Sequence, residues 1–125
     1  VHVVVPGRTV SVNGTYRGGR GIFKSREAVD FQGRIAYRTR AAMVAAGYRA
    51  PTGEAVGVEV VLYLAHPLMD LDGPTKLILD ALAGPKGAYL NDRQVELLVL
   101  RKKFDTVKPR LLIDVFTLNE DHGEA

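Results

Sequence analysis

The sequence predicts an α+β fold in one domain: a small mixed β-sheet with two α-helices packed on it. Three observations carry that expectation. The segment "AVGVEVVLYLAHP" alternates, placing Val56, Val58, Val60, Leu62 and Leu64 on one face of a strand. The stretch between Ser25 and Gly47 has helical spacing, with a capping residue at its start and a glycine at its end. Two further strand-like runs, "QVELLVLRKKF" and "RLLIDVFTL", are separated only by "DTVKP", a link short enough for an antiparallel hairpin.

Taken in order, "VHVVV" is a short β-branched strand closed by Pro6 and Gly7. The glycines of "SVNGTYRGGRG" make a loop, and its arginines suit either contact with DNA or a plain connector. In the first helix Ala28, Phe31, Ile35, Ala42 and Ala46 form the expected buried stripe. Asp30, Arg34 and Arg38 step by four along its exposed side. Pro67 closes the alternating strand, so "MDLD" stands just beyond a strand end. A second helix follows, with Pro74 near its first position and Pro74, Leu77, Ile78, Ala81 and Leu82 on one side. Lys76 and Asp80 lie opposite, and Gly84 ends the helix before "GPKGAYLND" loops back.

Composition narrows the function classes. The chain of 125 residues, with 46% hydrophobic and 25% charged residues, suits one globular domain spanning residues 1–125. It has no cysteine, which excludes disulfides, thiolate metal ligands and cysteine nucleophiles and fits a reducing compartment. No apolar run approaches the roughly 20 residues of a membrane span, and "VHVVVPGR" is too short for a signal peptide, so a soluble cytoplasmic protein without membrane contact is expected. The net charge of +3 is unevenly spread. Residues 1–50 carry nine Lys and Arg against two acids, residues 51–119 carry eight against nine, and the tail "EDHGEA" (residues 120–125) is acidic and expected to be flexible. The basic half suits a polyanion such as nucleic acid; solvated surface arginines explain it equally well.

The acids gather around "MDLDGPTKLILDAL". Asp70 and Asp72 precede or open a helix, Lys76 and Asp80 follow at helical spacing, and Asn91 and Asp92 stand in the loop after that helix. Whether that loop lies at the same end of the sheet as Asp70 and Asp72 is open. If Asp92 folds back beside the pair, three hard oxygen donors without Cys or His suit Mg²⁺ or Mn²⁺, with Lys76 as a fixed positive charge. Plainer roles compete: Asp72 as a helix cap, Lys76 and Asp80 as a surface pair, Asp92 as a turn residue. An EF-hand is excluded, because Pro74, Thr75 and Ala81 occupy positions that need a ligand, a glycine and a glutamate.

The segment Asp70–Val95, "DLDGPTKLILDALAGPKGAYLNDRQV", resembles the RusA family of Holliday junction resolvases, whose pattern is D-x-D-N-x-x-K, then D-A-L, then an acidic loop ending x-Q-V or x-Q-I. Asp70, Asp72, Lys76, Asp80, Asp92, Gln94 and Val95 match in order, and Ser11, Asn13, Tyr16 and Arg17 of "SVNGTYR" resemble the family's S-x-N segment. Two departures stand out: Gly73 replaces the usual asparagine, and "HPLM" before Asp70 is apolar where the best-known relative is arginine-rich.

The resemblance implies a homodimeric, Mg²⁺-dependent endodeoxyribonuclease, with Mn²⁺ as a substitute, that binds four-way junction DNA and makes paired nicks in recombination and repair without a nucleotide cofactor. It implies Asp70, Asp72 and Asp92 as metal ligands and Lys76 as the catalytic lysine. Together with the charge distribution it points to Asn13, Arg17, Arg20, Lys24, Arg34, Arg38, Lys102 and Lys103 as DNA contacts, and to a cytoplasmic, nucleoid-associated protein. A junction-binding module that has lost cleavage, or a metal-dependent nuclease for other branched DNA, are the alternatives.

Overall fold

A computed structural model describes residues 1–10, 16–17, 23–48 and 51–118, with the backbone alone at Tyr16, Arg17, Phe23, Lys24 and Asp72. The chain forms strand β1 (His2–Pro6), short strands β2 (Tyr16–Arg17) and β3 (Phe23–Lys24), helix α1 (Arg26–Ala45), strand β4 (Val56–Leu64), helix α2 (Asp72–Leu82), a 3₁₀ turn (Asp92–Gln94), strand β5 (Val95–Phe104) and strand β6 (Arg110–Thr117). Four strands make one mixed sheet in the spatial order β1, β6, β4, β5. β6 pairs antiparallel with β1 and β4, and β5 pairs parallel with β4. This is the small mixed sheet with two helices that the patterning predicts. No described helix is long and apolar enough to cross a membrane.

The expected hairpin between the last two strands does not form, because β4 lies between them. β4 is the most apolar strand, buried at Val56, Val58, Val60, Leu62 and Leu64, and gains most from a central position. β5 carries Arg101, Lys102 and Lys103, all exposed, which suit a sheet edge. Stepping over one strand spans only about 10 Å, within reach of a five-residue link. That link is braced by Asp105, whose carboxylate accepts hydrogen bonds from the amides of Val107 and Lys108 (both 3.0 Å) and from Arg110 (2.9 Å). The Lys108 amide, and then the Arg110 guanidinium, hold the Asp105 carboxyl below the usual carboxylate range. Arg110 also stacks 3.7 Å from the centre of the Tyr63 ring.

Helix α1 begins where Ser25 Oγ accepts from the Ala28 amide (3.2 Å) and ends at Gly47, whose φ of 84° favours glycine. Its buried stripe is Ala28, Phe31, Ile35, Thr39 and Met43. Of the expected stripe, Ala42 is half-buried against the core and Ala46 is exposed, while Thr39 and Met43 are buried in addition. A threonine is admitted there because its hydroxyl donates to the Ile35 carbonyl (2.7 Å), leaving its methyl to pack. Helix α2 contributes Leu77, Ile78 and Leu82 to the same core, and Gln32 of α1 donates to the Leu77 carbonyl (3.0 Å). The arginine-rich segment read as a loop includes strand β2, which pairs antiparallel with β3 just beyond it, Tyr16 opposite Lys24 and Arg17 opposite Phe23. Asn13, Arg20 and the acidic tail lie outside the described residues.

Candidate functional site

Parallel pairing of β4 with β5 settles the end-of-sheet question. Val56 pairs with Val95 and Leu64 with Phe104, so both strands run the same way and α2 carries the chain back from the end of one to the start of the other. Asp70 and Asp72 therefore stand where α2 begins, and Asp92 stands where β5 is about to begin. Helix α2, at 11 residues, extends roughly 16 Å between them. Its start has no side-chain cap at Leu71; instead Thr75 Oγ1 donates to the Leu71 carbonyl (2.6 Å). Asp72 is the first helical residue and opens the i, i+4 row that continues through Lys76 and Asp80.

The loop presenting Asp92 is held by Gln94. Its Oε1 accepts from the amides of Leu90 (2.9 Å) and Asn91 (2.8 Å), and its Nε2 donates to the carbonyls of Thr52 (2.9 Å) and Glu54 (2.8 Å). Asn91 Oδ1 accepts from the Arg93 amide (2.9 Å) and caps the 3₁₀ turn. One amide side chain thus ties this turn to the segment before β4. Gln94→Ala removes four hydrogen bonds to backbone groups, three of them open to solvent, and is expected to lower stability by about 1 kcal/mol. It should also reduce turnover by misplacing Asp92; an unchanged unfolding midpoint in a thermal scan would show that the loop holds without it.

Between α2 and the helix-facing side of β5 runs a groove of about 440 Å³ lined by Leu71, Thr75, Lys76, Leu79, Asp80, Asp92 and Leu100. The carboxyls of Asp80 and Asp92 both line this groove as neighbours. Lys76 Nζ lies 3.5 Å from Asp80 Oδ2, with its side chain 63% exposed. Burial first, then the hydrogen bond and charge of Asp80, raise the Asp92 pKa, while Lys76 pulls it down. Beneath them Tyr89 is fully buried and its hydroxyl donates to the Leu79 carbonyl (3.1 Å). Burial, reinforced by the charges of Asp92 and Asp80, pushes its phenol well above the usual range.

Of the predicted residues, Asp92 and Lys76 come together in this groove, and Asp80 joins them. Asp80 was legible as part of the matched D-A-L element and as the i+4 neighbour of Lys76, but nothing local in the sequence pairs it with Asp92. Asp70 is exposed just before the groove's Leu71 end and does not line it. Arg34 is committed elsewhere: it donates to the carbonyls of Pro6 (2.7 Å) and Arg8 (3.3 Å) and lies over Phe31 (5.6 Å). Arg38 is exposed one turn on, and both line a recess of about 760 Å³ on the outer face of α1. Lys102 bonds the carbonyls of Met69 (3.1 Å) and Pro67 (3.5 Å), which brings a cation against the segment leading to Asp70. Lys103 is exposed, and Arg17 and Lys24 are placed by their backbone alone in β2 and β3.

Among the described residues no group of three or more His, Cys, Asp or Glu could hold a metal ion. The donor chemistry of the groove nevertheless fits a hard divalent cation. Two neighbouring carboxyls, Asp80 raising the pKa of Asp92, repel when both ionise, and either a proton or a cation relieves that repulsion. A family model described as Endodeoxyribonuclease RusA matches residues 6–116. No curated protein matches the chain.

Proposed function

The chain belongs to the RusA endodeoxyribonuclease family, and from that premise we propose that it is a Mg²⁺-dependent nuclease that resolves four-way DNA junctions by paired nicks. The observation that carries the reading is the neighbouring carboxyls of Asp80 and Asp92 with Lys76 beside them in one groove. The resemblance implies Asp70, Asp72 and Asp92 as ligands, but the length of α2 separates Asp92 from the other two, so Asp92 and its neighbour Asp80 are the carboxylates that would hold a cation in this groove. A bound divalent cation supplies Lewis-acid stabilisation of a phosphodiester under attack and lowers the pKa of water. The residues themselves bring the remaining parts: Lys76 places positive charge against phosphate oxygens, Gln94 holds the Asp92 turn, and Leu71, Leu79 and Leu100 form an apolar groove floor.

Cleavage of synthetic four-way junctions, compared with flap and linear duplexes with and without Mg²⁺, tests the proposal. Metal-dependent paired nicks in the junction alone support it. Equal cutting of flaps points to a broader branched-DNA nuclease, and tight junction binding without cutting points to a binding module. Lys76→Ala is expected to cut the single-turnover rate by about 10²-fold while junction affinity changes little, since one of seventeen basic residues contributes little to overall attraction. An unchanged rate would return Lys76 to a surface pair with Asp80.

Paired nicks imply two active sites in two-fold relation, hence a homodimer. The sheet offers a self-complementary surface for it. β5 is an edge strand of ten residues with Leu97 and Phe104 exposed at 44% and 55%. Antiparallel pairing with a second β5 sets Glu96 near the Arg101–Lys103 end of its mate and apolar residues against each other in the middle.

A further inference from the structure

A second recess lies beyond the other end of the acidic segment, at the end of β4. It has a volume of about 150 Å³ and is lined by Arg8, Thr9, Leu64, Ala65, His66 and Met69. The chain brings these residues together from two distant segments, and each side is pinned. Arg34 holds the Pro6 and Arg8 carbonyls on either side of Gly7, whose φ of 108° calls for glycine. Lys102 holds the Pro67 and Met69 carbonyls.

Three polar groups have capacity to spare there. Thr9 is only 8% exposed, and its Oγ1 has no hydrogen-bond partner among the described residues, which is costly for a buried hydroxyl. His66 Nδ1 accepts from the Leu68 amide (3.2 Å); this places the ring proton on Nε2 and leaves an N–H to donate. The exposed Arg8 side chain makes no hydrogen bond or ion pair among the described residues. A guanidinium fork, an imidazole N–H and a hydroxyl are three donors with no carboxylate lining the recess, the chemistry of an oxyanion site. Met69 lines the recess and is followed directly by Asp70, so an anion held here lies next to the acidic segment.

We propose that the recess formed by Arg8, Thr9 and His66 binds a phosphate group, and that in the working enzyme this is a backbone phosphate of the DNA strand being cut. The assignment of the phosphate to DNA rests on the nuclease reading above; the anion site itself does not. Arg8 forks onto the phosphate, Thr9 gains the partner it lacks, and the strand is registered one step from the carboxylates that would otherwise repel it.

The test uses the full chain without divalent metal. Junction binding is measured against salt for wild type, Arg8→Ala, Thr9→Val and, as a comparison, Lys86→Ala at the opposite end of α2. Inorganic phosphate alone is titrated while the NMR signals of Thr9 and His66 are followed. Arg8→Ala should lower the slope of log K against log salt by about one and weaken binding at every sequence. Thr9→Val should weaken binding several-fold while raising the melting temperature, because it removes a buried hydroxyl without a partner. Phosphate should shift the Thr9 and His66 signals in wild type and not in Arg8→Ala. If wild type binds no DNA but phosphate still produces these shifts, the site stands, its source is free phosphate, and the nuclease reading fails. A slope change in Arg8→Ala no larger than in Lys86→Ala, with no phosphate-induced shift, overturns the site even if the protein cleaves junctions.

Discussion

Asp92→Asn is expected to abolish junction cleavage while leaving junction binding intact or stronger, and to make the metal-free protein more stable at neutral pH. The catalytic loss follows from removing a charged ligand from a cation that contributes several kcal/mol to the transition state, or about 10²-fold or more in rate. The stability gain has a separate cause. Burial, then the Asp80 hydrogen bond and charge, hold the Asp92 pKa above its ordinary value, so the folded protein retains a proton that the unfolded chain releases. Stability linked to this group is present below the ordinary carboxyl value and is lost as pH rises through the raised one. At neutral pH wild type therefore carries ionic repulsion that an amide removes. Thermal unfolding without metal, from pH 4 to 8, should show a flatter profile for Asp92→Asn than for wild type, and added Mg²⁺ should stabilise wild type alone. Asp80→Asn removes the charge of the carboxylate beside Asp92 and should cost about 10–100-fold in rate. Near wild-type cleavage by Asp92→Asn would remove it from the metal site.

Mixed dimers of wild type with Asp92→Asn are expected to nick a cruciform plasmid once, whereas wild-type dimers linearise it in one binding event. A four-way junction presents two equivalent strands about a two-fold axis, and a C2 dimer presents two sites in the matching relation. With one site disabled, the second cut must await dissociation and rebinding. Linear product from the mixed dimer in a single encounter would sink the two-site model. The β5 edge makes a companion prediction. Leu97→Lys places extra charge in the strand-pairing surface near the partner's Arg101–Lys103 end, and should weaken dimerisation at least tenfold in sedimentation experiments while the monomer stays folded. Linearisation should fall in parallel. A stable monomer that still resolves junctions would sever resolution from dimerisation.

Much of this protein was legible in one dimension. The alternation of Val56, Val58, Val60, Leu62 and Leu64 marked β4, because a strand buried on one face must repeat every second residue. Ser25 and Gly47 bounded α1, because caps act on neighbouring backbone. Asp72, Lys76 and Asp80 were placed in one row by helical period, and the ordered motif from Asp70 to Val95 pointed to the family that the match over residues 6–116 shows. Periodicity and capping are local signals, and the motif is read from the order of its residues along the chain.

What the sequence could not decide depended on partners far along the chain. The short "DTVKP" link suggested a hairpin, yet strand order is set by which strand gains most from a central place, and the apolar β4 took it. That choice made β4 and β5 parallel, set Asp92 beside Asp80, and left Asp70 at the far end of the groove. Arg34 and Lys102 were expected as DNA contacts; folding brought backbone carbonyls to them, and they became struts for the turns at Arg8 and Met69. Thr9 and His66, separated by 57 positions in the numbering, line one recess with no sequence signal at all. Periodicity and capping are properties of the backbone's own geometry, so a sequence displays them. Pairing order and the meeting of side chains from remote segments are settled by competition for burial and hydrogen bonds across the whole chain, and only the tertiary structure records who wins.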